Sequence, residues 1–133
     1  MRRRGPSGRE PTGVRLRPMS PLDTSNAIPI KAVAEFDAWL RRHGANQRGV
    51  LIAIHKKASG RQTVRFEHLL ETALIHGWVD TQTKSIDDER YAIRFVLRRP
   101  GSNWSARNRE IARQLLAEGR MTPAGIASLP DDL

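Results

Sequence analysis

Residues 77–108 read GWVDTQTKSIDDERYAIRFVLRRPGSNWSARN, and this stretch decides the fold. Segments 78–84 and 91–98 are rich in β-branched and aromatic residues, which favour strands. Apolar side chains alternate along one side of the second segment: Tyr91, Ile93, Phe95 and Leu97. The polar residues 85–90 between the segments are long enough for a hairpin loop. The stretch therefore predicts a β-hairpin that leads into a helix beginning near Ser105.

The flanking sequence adds helices and one more strand. Helical periodicity runs from Lys31 to a stop at Gly44, and again over about 66–76. Thr122 followed by proline predicts a short last helix. Between the first two helices, a continuous apolar run predicts a central strand near 50–56. The order α-β-α-β-β-α-α predicts an α+β domain, with a sheet of about three strands packed by about four helices.

The composition limits the class of protein. A chain of 133 residues with 38% hydrophobic content fits one folded domain, which we expect over 27–133. No apolar run approaches the roughly 20 residues of a membrane span, and no secretory signal precedes the domain. The absence of cysteine excludes disulfides and thiolate zinc sites. We therefore expect a cytoplasmic protein.

The positive charge is concentrated at the N-terminus. The formal net charge is +9, and residues 1–18 contribute six arginines against one glutamate, a balance of +5. Residues 1–26 mix Arg, Pro and Gly with few apolar side chains, so we predict a disordered tail. Arg2, Arg3 and Arg4 in this tail offer one functional alternative, which is weak and salt-dependent binding of nucleic acid.

The hairpin also carries the candidate binding residues. Strict alternation puts Trp78, Asp80, Gln82 and Lys84 on one face and brings Asp80 to the level of Arg94 and Arg98. Guanidinium groups beside an indole suit a small anion or an acidic group of a partner protein. The candidate contact residues are Lys56, Trp78, Asp80, Lys84, Arg94, Arg98, Trp104, Ser105 and Asn108. A purely structural alternative stays open, because cross-strand Asp–Arg pairs are common on exposed sheets.

An enzymatic alternative uses the same region. His76 or Asp80 would act as a base, with Asp80 orienting His76, on a small anionic substrate held by the arginines. The four histidines lack the spacing of a metal site, and no phosphate-binding loop or nucleophile motif is present. We therefore assign no catalytic residue and expect neither a metal nor a cofactor.

Four motifs stand out in the sequence: Gly77-Trp78-Val79-Asp80, Lys84-Ser85-Ile86-Asp87, Ser102-x-Trp104-Ser105-x-x-Asn108 and Met121-Thr122-Pro123-Ala124-Gly125. With these motifs the chain resembles the YdeI/OmpD-associated family, whose members are also called bacteriocin-protection proteins. The similarity covers roughly residues 28–127, and the combination of the first and third motifs is its specific part. The resemblance implies a non-enzymatic, stress-related binding domain of bacteria, with a porin as a possible kind of partner.

Two features depart from that family pattern. Val96-Leu97 stands where family members have Thr-Pro, so we expect the strand to continue without a proline break. Members of the family also continue into a basic helical tail, whereas this sequence stops at Leu133. A function that depends on the tail is therefore not expected of residues 1–133.

Overall fold

A computed structural model describes residues 22–61, 64–99 and 101–133 of the chain. The described residues form four strands: β1 (Ile28–Pro29), β2 (Gly49–His55), β3 (Trp78–Ser85) and β4 (Arg90–Leu97). They also form four α-helices: α1 (Val33–His43), α2 (Phe66–Ile75), α3 (Ala106–Ala117) and α4 (Pro123–Ala127). A 3-10 helix at Lys57–Ser59 follows β2. The predicted α+β class is confirmed.

The strands form one mixed sheet in the order β1-β2-β4-β3. Strands β3 and β4 pair antiparallel as the predicted hairpin, and β4 also pairs antiparallel with β2. Strand β2 therefore lies inside the sheet, as its continuous apolar run predicts. Helices α1 and α2 pack on one face of the sheet, and we call the opposite face the outer face.

The strand count differs from the expected three. Ile28 and Pro29 form a two-residue strand that pairs parallel with Ile52 and Ala53 of β2. Two residues are too few to show a periodic signal, and proline normally argues against a strand. This strand lies at the edge of the sheet, where the missing N–H of proline costs nothing.

A β-bulge changes which side chains of β3 share a face. Asp80 pairs with Phe95, but Gln82 pairs with Arg94, so Thr81 is an extra residue between them. Trp78 and Asp80 therefore share the helix-packed face, while Gln82 and Lys84 lie on the outer face with Arg94. The prediction that all four residues of β3 share one face is wrong, because strict alternation fails at a bulge.

The core lies between the sheet and helices α1 and α2. Its largest buried side chains include Trp78, Phe36 and Phe95, and the rings of Phe36 and Phe95 are 4.8 Å apart between centroids. Fully burying each such side chain contributes about 1.5–3 kcal/mol. A second cluster, Leu70, Leu74 and Leu115, joins α2 to α3. Helix α2 is therefore buried on two sides and fixes the start of β3.

The short helix α4 is attached to the C-terminal end of α2. The Ile75 carbonyl accepts hydrogen bonds from the Thr122 backbone N–H at 3.1 Å and from Thr122 Oγ1 at 2.8 Å. The Thr122 hydroxyl in turn caps α4 by accepting from the Gly125 N–H at 3.1 Å. One threonine therefore satisfies both helix ends, which explains the predicted cap.

Most of the predicted N-terminal tail, including Arg2, Arg3 and Arg4, lies outside the described residues. The described part of that segment, residues 22–26, contains a turn in which Asp23 Oδ1 accepts from the Ser25 N–H at 2.9 Å. Among the residues that the structure describes, no helix has the length and apolar content to cross a membrane.

Candidate functional site

A cleft of about 560 Å³ opens beside the C-terminal end of β4. We name it the arginine cleft after its basic lining residues: Arg48, Arg94, Arg98 and Arg99. Val79, Val96 and Leu97 add apolar surface to its wall, and Ser102 adds a hydroxyl. Its volume lies within the range of about 300–1,000 Å³ that is typical of small-ligand sites.

Backbone pairing assembles these arginines from distant parts of the sequence. The Leu97 N–H donates to the Arg48 carbonyl at 3.0 Å, which places the start of β2 beside the end of β4. The Arg98 N–H donates to the Gly77 carbonyl at 2.9 Å, which places the start of β3 on the other side. The cleft is therefore built on three adjoining strand ends, a rigid part of the fold.

Arg98 is the most firmly held of the cleft arginines. Its guanidinium carbon lies 3.7 Å from the centroid of the Trp104 ring. Its Nη1 donates to Ser102 Oγ at 2.7 Å and to the Asn103 carbonyl at 3.2 Å. Its Nε is buried and has no hydrogen-bond partner within the described residues. The side chain is thus fixed in place while retaining donor capacity.

Burial changes the acid–base properties of Arg98. Desolvation lowers the pKa of Arg98 from its ordinary value, and the nearby Asp80 carboxylate partly opposes this shift. An arginine nevertheless keeps its proton at physiological pH. The Asp80 carboxylate does not form an ion pair with Arg94 or Arg98 in the described part of the chain, so the predicted Asp–Arg pair is replaced by a longer-range interaction.

Arg94 lies against the backbone of β2. A Cβ atom built on Gly49 would lie 3.3 Å from Arg94 Nη2, so the missing side chain leaves room for the guanidinium. No ion pair to Arg48, Arg94 or Arg99 occurs within the described ranges 22–61, 64–99 and 101–133. Three guanidinium groups in one cleft therefore carry charge that the described carboxylates do not neutralise.

The remaining predicted contact residues of the strands lie elsewhere. Trp78 is 1% exposed and packs edge-on against Trp39 in the core, so it is not placed to contact a ligand. Lys56 Nζ donates to Ser85 Oγ at 2.7 Å, and Lys84 Nζ donates to the Leu22 carbonyl at 3.1 Å. Both lysines are engaged in bonds that join segments of the chain.

Ser105 and Asn108 have a local role at the start of α3. Ser105 is the N-cap residue, and its Oγ accepts from the Asn108 backbone N–H at 3.1 Å. Neither residue lines the arginine cleft, whereas their neighbour Trp104 contacts Arg98. Helix capping therefore explains the serine of the Ser-x-x-Asn motif, whereas the bond at Asn108 is made by its backbone N–H.

His76 is paired with Asp37, a residue that no sequence motif singles out. Its Nε2 lies 2.7 Å from Asp37 Oδ1, and Asp37 Oδ2 accepts from Arg41 Nε at 2.7 Å. The prediction that Asp80 orients His76 is wrong, because helix α1 brings Asp37 to the C-terminal end of α2. Partial burial opposes ionisation of Asp37, but hydrogen bonds from Arg41 and His76 outweigh it and lower the pKa of Asp37.

Two of the cleft arginines, Arg48 and Arg99, do not belong to the predicted contact set. Arg99 adjoins Arg98 in the strand-ending Arg-Arg pair, so the sequence contained a usable signal. Arg48 follows a loop after α1, and only the pairing of β2 with β4 brings it to the cleft. No local pattern in the sequence indicates that pairing.

The described side chains do not form a metal site. Within ranges 22–61, 64–99 and 101–133, no group of three His, Cys, Asp or Glu side chains is arranged to hold a metal ion. The chemistry that the described cleft offers is hydrogen bonding and positive charge.

A sequence model described as "Domain of unknown function (DUF8412)" matches residues 28–128. The matched range begins at β1 and ends just after α4, so it contains the four described strands and the arginine cleft. No curated protein and no solved structure matches the chain.

Proposed function

The chain belongs to the family described as domain of unknown function DUF8412, and we propose that it is a binding domain whose arginine cleft holds an anionic group. The observation that carries the proposal is the set of four arginines around one cleft. Guanidinium groups match the geometry of phosphate and carboxylate oxygens and form strong, charge-assisted hydrogen bonds. The cleft is therefore suited to an anion rather than to a neutral ligand.

The absence of carboxylates among the described lining residues of the cleft supports this proposal. A basic cluster with a structural role would be expected to contain acidic partners, and none of the described lining residues is acidic. The protein instead forms its ion pairs elsewhere, for example between Arg113 and Glu110 and between Arg109 and Asp132. Like charges held close together repel one another, so a bound anion would relieve that repulsion.

The packing of Arg98 also supports binding. Trp104 and Ser102 hold its guanidinium before any ligand arrives, which reduces the conformational entropy lost on binding. Arg98 Nη2 forms no hydrogen bond within the described residues, so this nitrogen retains donor capacity for an anion.

The same geometry favours binding over catalysis. No histidine, carboxylate or lysine is found among the described residues that line the cleft. His76, the candidate base, is instead bonded to Asp37. A general base must come within hydrogen-bond reach of the proton that it removes. The proposal is therefore a non-enzymatic function.

The resemblance to the YdeI/OmpD-associated family extends the proposal to bacterial stress tolerance, with an acidic partner group, for example on a porin, as one occupant of the cleft. This extension rests on the quoted motifs. In a bacterial host that carries the gene, its deletion should increase sensitivity to a bacteriocin. A gene copy encoding Arg94→Ala and Arg98→Ala should fail to restore tolerance, and full restoration would contradict the extension.

Anion binding is tested by titrating the protein with pyrophosphate at low salt in a calorimeter. We expect saturable binding that weakens as salt is added, because salt screens exposed charges. A variant with Arg94→Ala and Arg98→Ala should bind at least about tenfold more weakly, since each lost charge-assisted hydrogen bond costs about 1.5–3 kcal/mol.

Arg113→Ala is the matched control for this titration. Arg113 is an exposed arginine of α3 that lies outside the cleft, and its pair with Glu110 contributes little stability. It removes one positive charge, where the double variant removes two, without touching the proposed site, and it should bind pyrophosphate like the wild type. Equal affinity of the wild type and the double variant, with both folded, would overturn the proposal.

A further inference from the structure

A second cleft, of about 470 Å³, adjoins the arginine cleft. We name it the tryptophan cleft, because Trp39 forms part of its wall. Asp23, Asn26 and Gln47 supply polar groups, and Gly49 and Arg94 lie where it meets the sheet. This cleft is not basic like its neighbour, since Arg94 is its one cationic lining residue among those described.

The two clefts meet at a defined point of the sheet. Arg94 lines both of them. Gly49 of the tryptophan cleft is paired in register with Val96 of the arginine cleft. Paired residues on antiparallel strands have Cα atoms only about 4.5–5.5 Å apart. A single small molecule that contacts Arg94 can therefore reach from one cleft into the other.

The groups of the tryptophan cleft suit a flat, hydrogen-bonding ring. The half-buried Trp39 indole contacts the rings of His43 and Trp78 and presents the rest of its surface to the cleft. Stacking of a nucleobase on an aromatic surface contributes about 1–3 kcal/mol. The side-chain amides of Asn26 and Gln47 form no hydrogen bond within the described residues, so both are available. An amide presents a donor and an acceptor together, which is the pattern that reads the edge of a base.

Asp23 restricts what the tryptophan cleft accepts. Hydrogen bonds from the Ser25 backbone N–H and hydroxyl, together with the nearby Lys84, lower the pKa of Asp23 against the small opposing effect of burial. The carboxylate is therefore ionised at neutral pH and repels a second anion. A ligand that spans both clefts needs its negative charge in the arginine cleft and an uncharged ring beside Trp39.

We infer that the joined clefts bind a nucleoside phosphate, with the phosphate in the arginine cleft and the base in the tryptophan cleft. This inference rests on the proposed function, because the phosphate binds the same arginines as the proposed anion. Beyond that function, it specifies the chemical class of the ligand. Arg94 contacts the ligand where the two parts join, because its guanidinium lies beside Gly49 and lines both clefts.

The test compares ligands that differ in one part. Calorimetric titrations use pyrophosphate, phenyl phosphate and the diphosphates ADP, GDP, CDP and UDP. At least one nucleotide should bind about tenfold or more tightly than pyrophosphate, and NMR should show shifts of the Trp39 indole N–H and of the Asn26 and Gln47 amide groups. The variant Gln47→Ala should weaken nucleotide binding severalfold and leave pyrophosphate binding unchanged. Asn46→Ala, which alters the neighbouring exposed amide outside the cleft, is the control.

The outcomes separate this inference from the proposed function. If pyrophosphate binds but no nucleotide binds more tightly, the inference fails and anion binding stands. If phenyl phosphate binds as tightly as every nucleotide and the amides of Asn26 and Gln47 do not shift, the cleft accepts any flat ring and the inference fails. The same titrations include a single-stranded oligonucleotide; if it binds far more tightly than every nucleotide, the ligand is a polymer and the inference is also wrong. If neither pyrophosphate nor any nucleotide binds, both proposals fail.

Discussion

The guanidinium carbon of Arg98 lies 3.7 Å from the centre of the Trp104 ring, and this contact joins the hairpin to the segment that leads into α3. Trp104 also packs beside the cluster of Leu70, Leu74 and Leu115. One indole therefore stabilises the helical layer and positions a cationic group of the arginine cleft. This dual contact explains why the tryptophan lies next to the N-cap of α3.

Trp104→Leu should separate these two roles. Leucine keeps much of the apolar packing but removes the aromatic face, and an Arg–Trp contact contributes about 0.5–2 kcal/mol. We expect pyrophosphate affinity to fall about three- to tenfold, while the free energy of unfolding falls by less than the approximately 3–5 kcal/mol of a Trp→Ala change in a core. Calorimetry and urea unfolding measure the two effects. Unchanged affinity would show that Trp104 does not position Arg98 for binding.

Gly49→Ala should act on binding through Arg94. The added Cβ would come within 3.3 Å of Arg94 Nη2 and displace the guanidinium slightly. We expect a loss of about threefold in pyrophosphate affinity and little loss of stability, because glycine inside a strand is itself unfavourable by roughly 0.5–1 kcal/mol. The loss should disappear when Arg94 is already alanine. An equal loss in the Arg94→Ala background would contradict this mechanism.

The parts of the fold that follow local patterns were predictable from the sequence. The hairpin, the cap of α3 at Ser105 and the cap of α4 at Thr122 each depend on residues close in the chain. The bulge at Thr81 was not predictable, because nothing in its sequence distinguishes it from regular alternation. Arg48 reaches the cleft, and Asp37 reaches His76, only through tertiary packing. The periodic patterns that predict helices and strands carry no information about which distant segments pack together.

Gly125→Ala should be strongly destabilising. A Cβ at this position would lie 2.0 Å from the Ile75 carbonyl oxygen, so α4 must move away from α2. We expect a loss of at least about 2 kcal/mol in the free energy of unfolding, comparable with other severe steric conflicts. Urea unfolding followed by circular dichroism measures this loss.

Gly60→Ala provides the control for substitution of a glycine. Gly60 has a φ of +75°, but an added Cβ would meet no atom of the described residues within 4 Å, so the expected cost is the backbone penalty of about 1–2 kcal/mol. Gly125 has no such backbone penalty, and its loss is attributed to the contact with Ile75. If Gly125→Ala proves no more destabilising than Gly60→Ala, that result would contradict the close packing of α4 on α2.

The Asp37–His76 pair should make stability depend on pH. The folded-state pKa of Asp37 lies below its ordinary value of 3.8, so ionised Asp37 stabilises the folded protein at higher pH. This contribution is lost as the pH falls through 3.8 toward the lower folded-state pKa. Asp37→Ala should cost about 1–3 kcal/mol at pH 7, because His76 loses its partner. The difference from the wild type should shrink below about pH 4.

Glu110→Ala serves as the control for the pH series. Glu110 forms an exposed pair with Arg113 on α3, and such pairs contribute about 0–1 kcal/mol. Its removal should change stability little across the same range. A difference between wild type and Asp37→Ala that stays constant from pH 7 down to acid unfolding would contradict the assigned charge state of Asp37.

The most direct measurement of the central claim is a crystal structure of the protein soaked in tungstate, a heavy analogue of phosphate that is located by its anomalous scattering. We expect the ion in the arginine cleft, with its oxygens within about 2.7–3.2 Å of guanidinium nitrogens of Arg94 and Arg98. Crystals of the Arg94→Ala and Arg98→Ala double variant should lack that peak. Tungstate bound elsewhere, with the cleft of the wild-type protein empty, would contradict anion binding at this site.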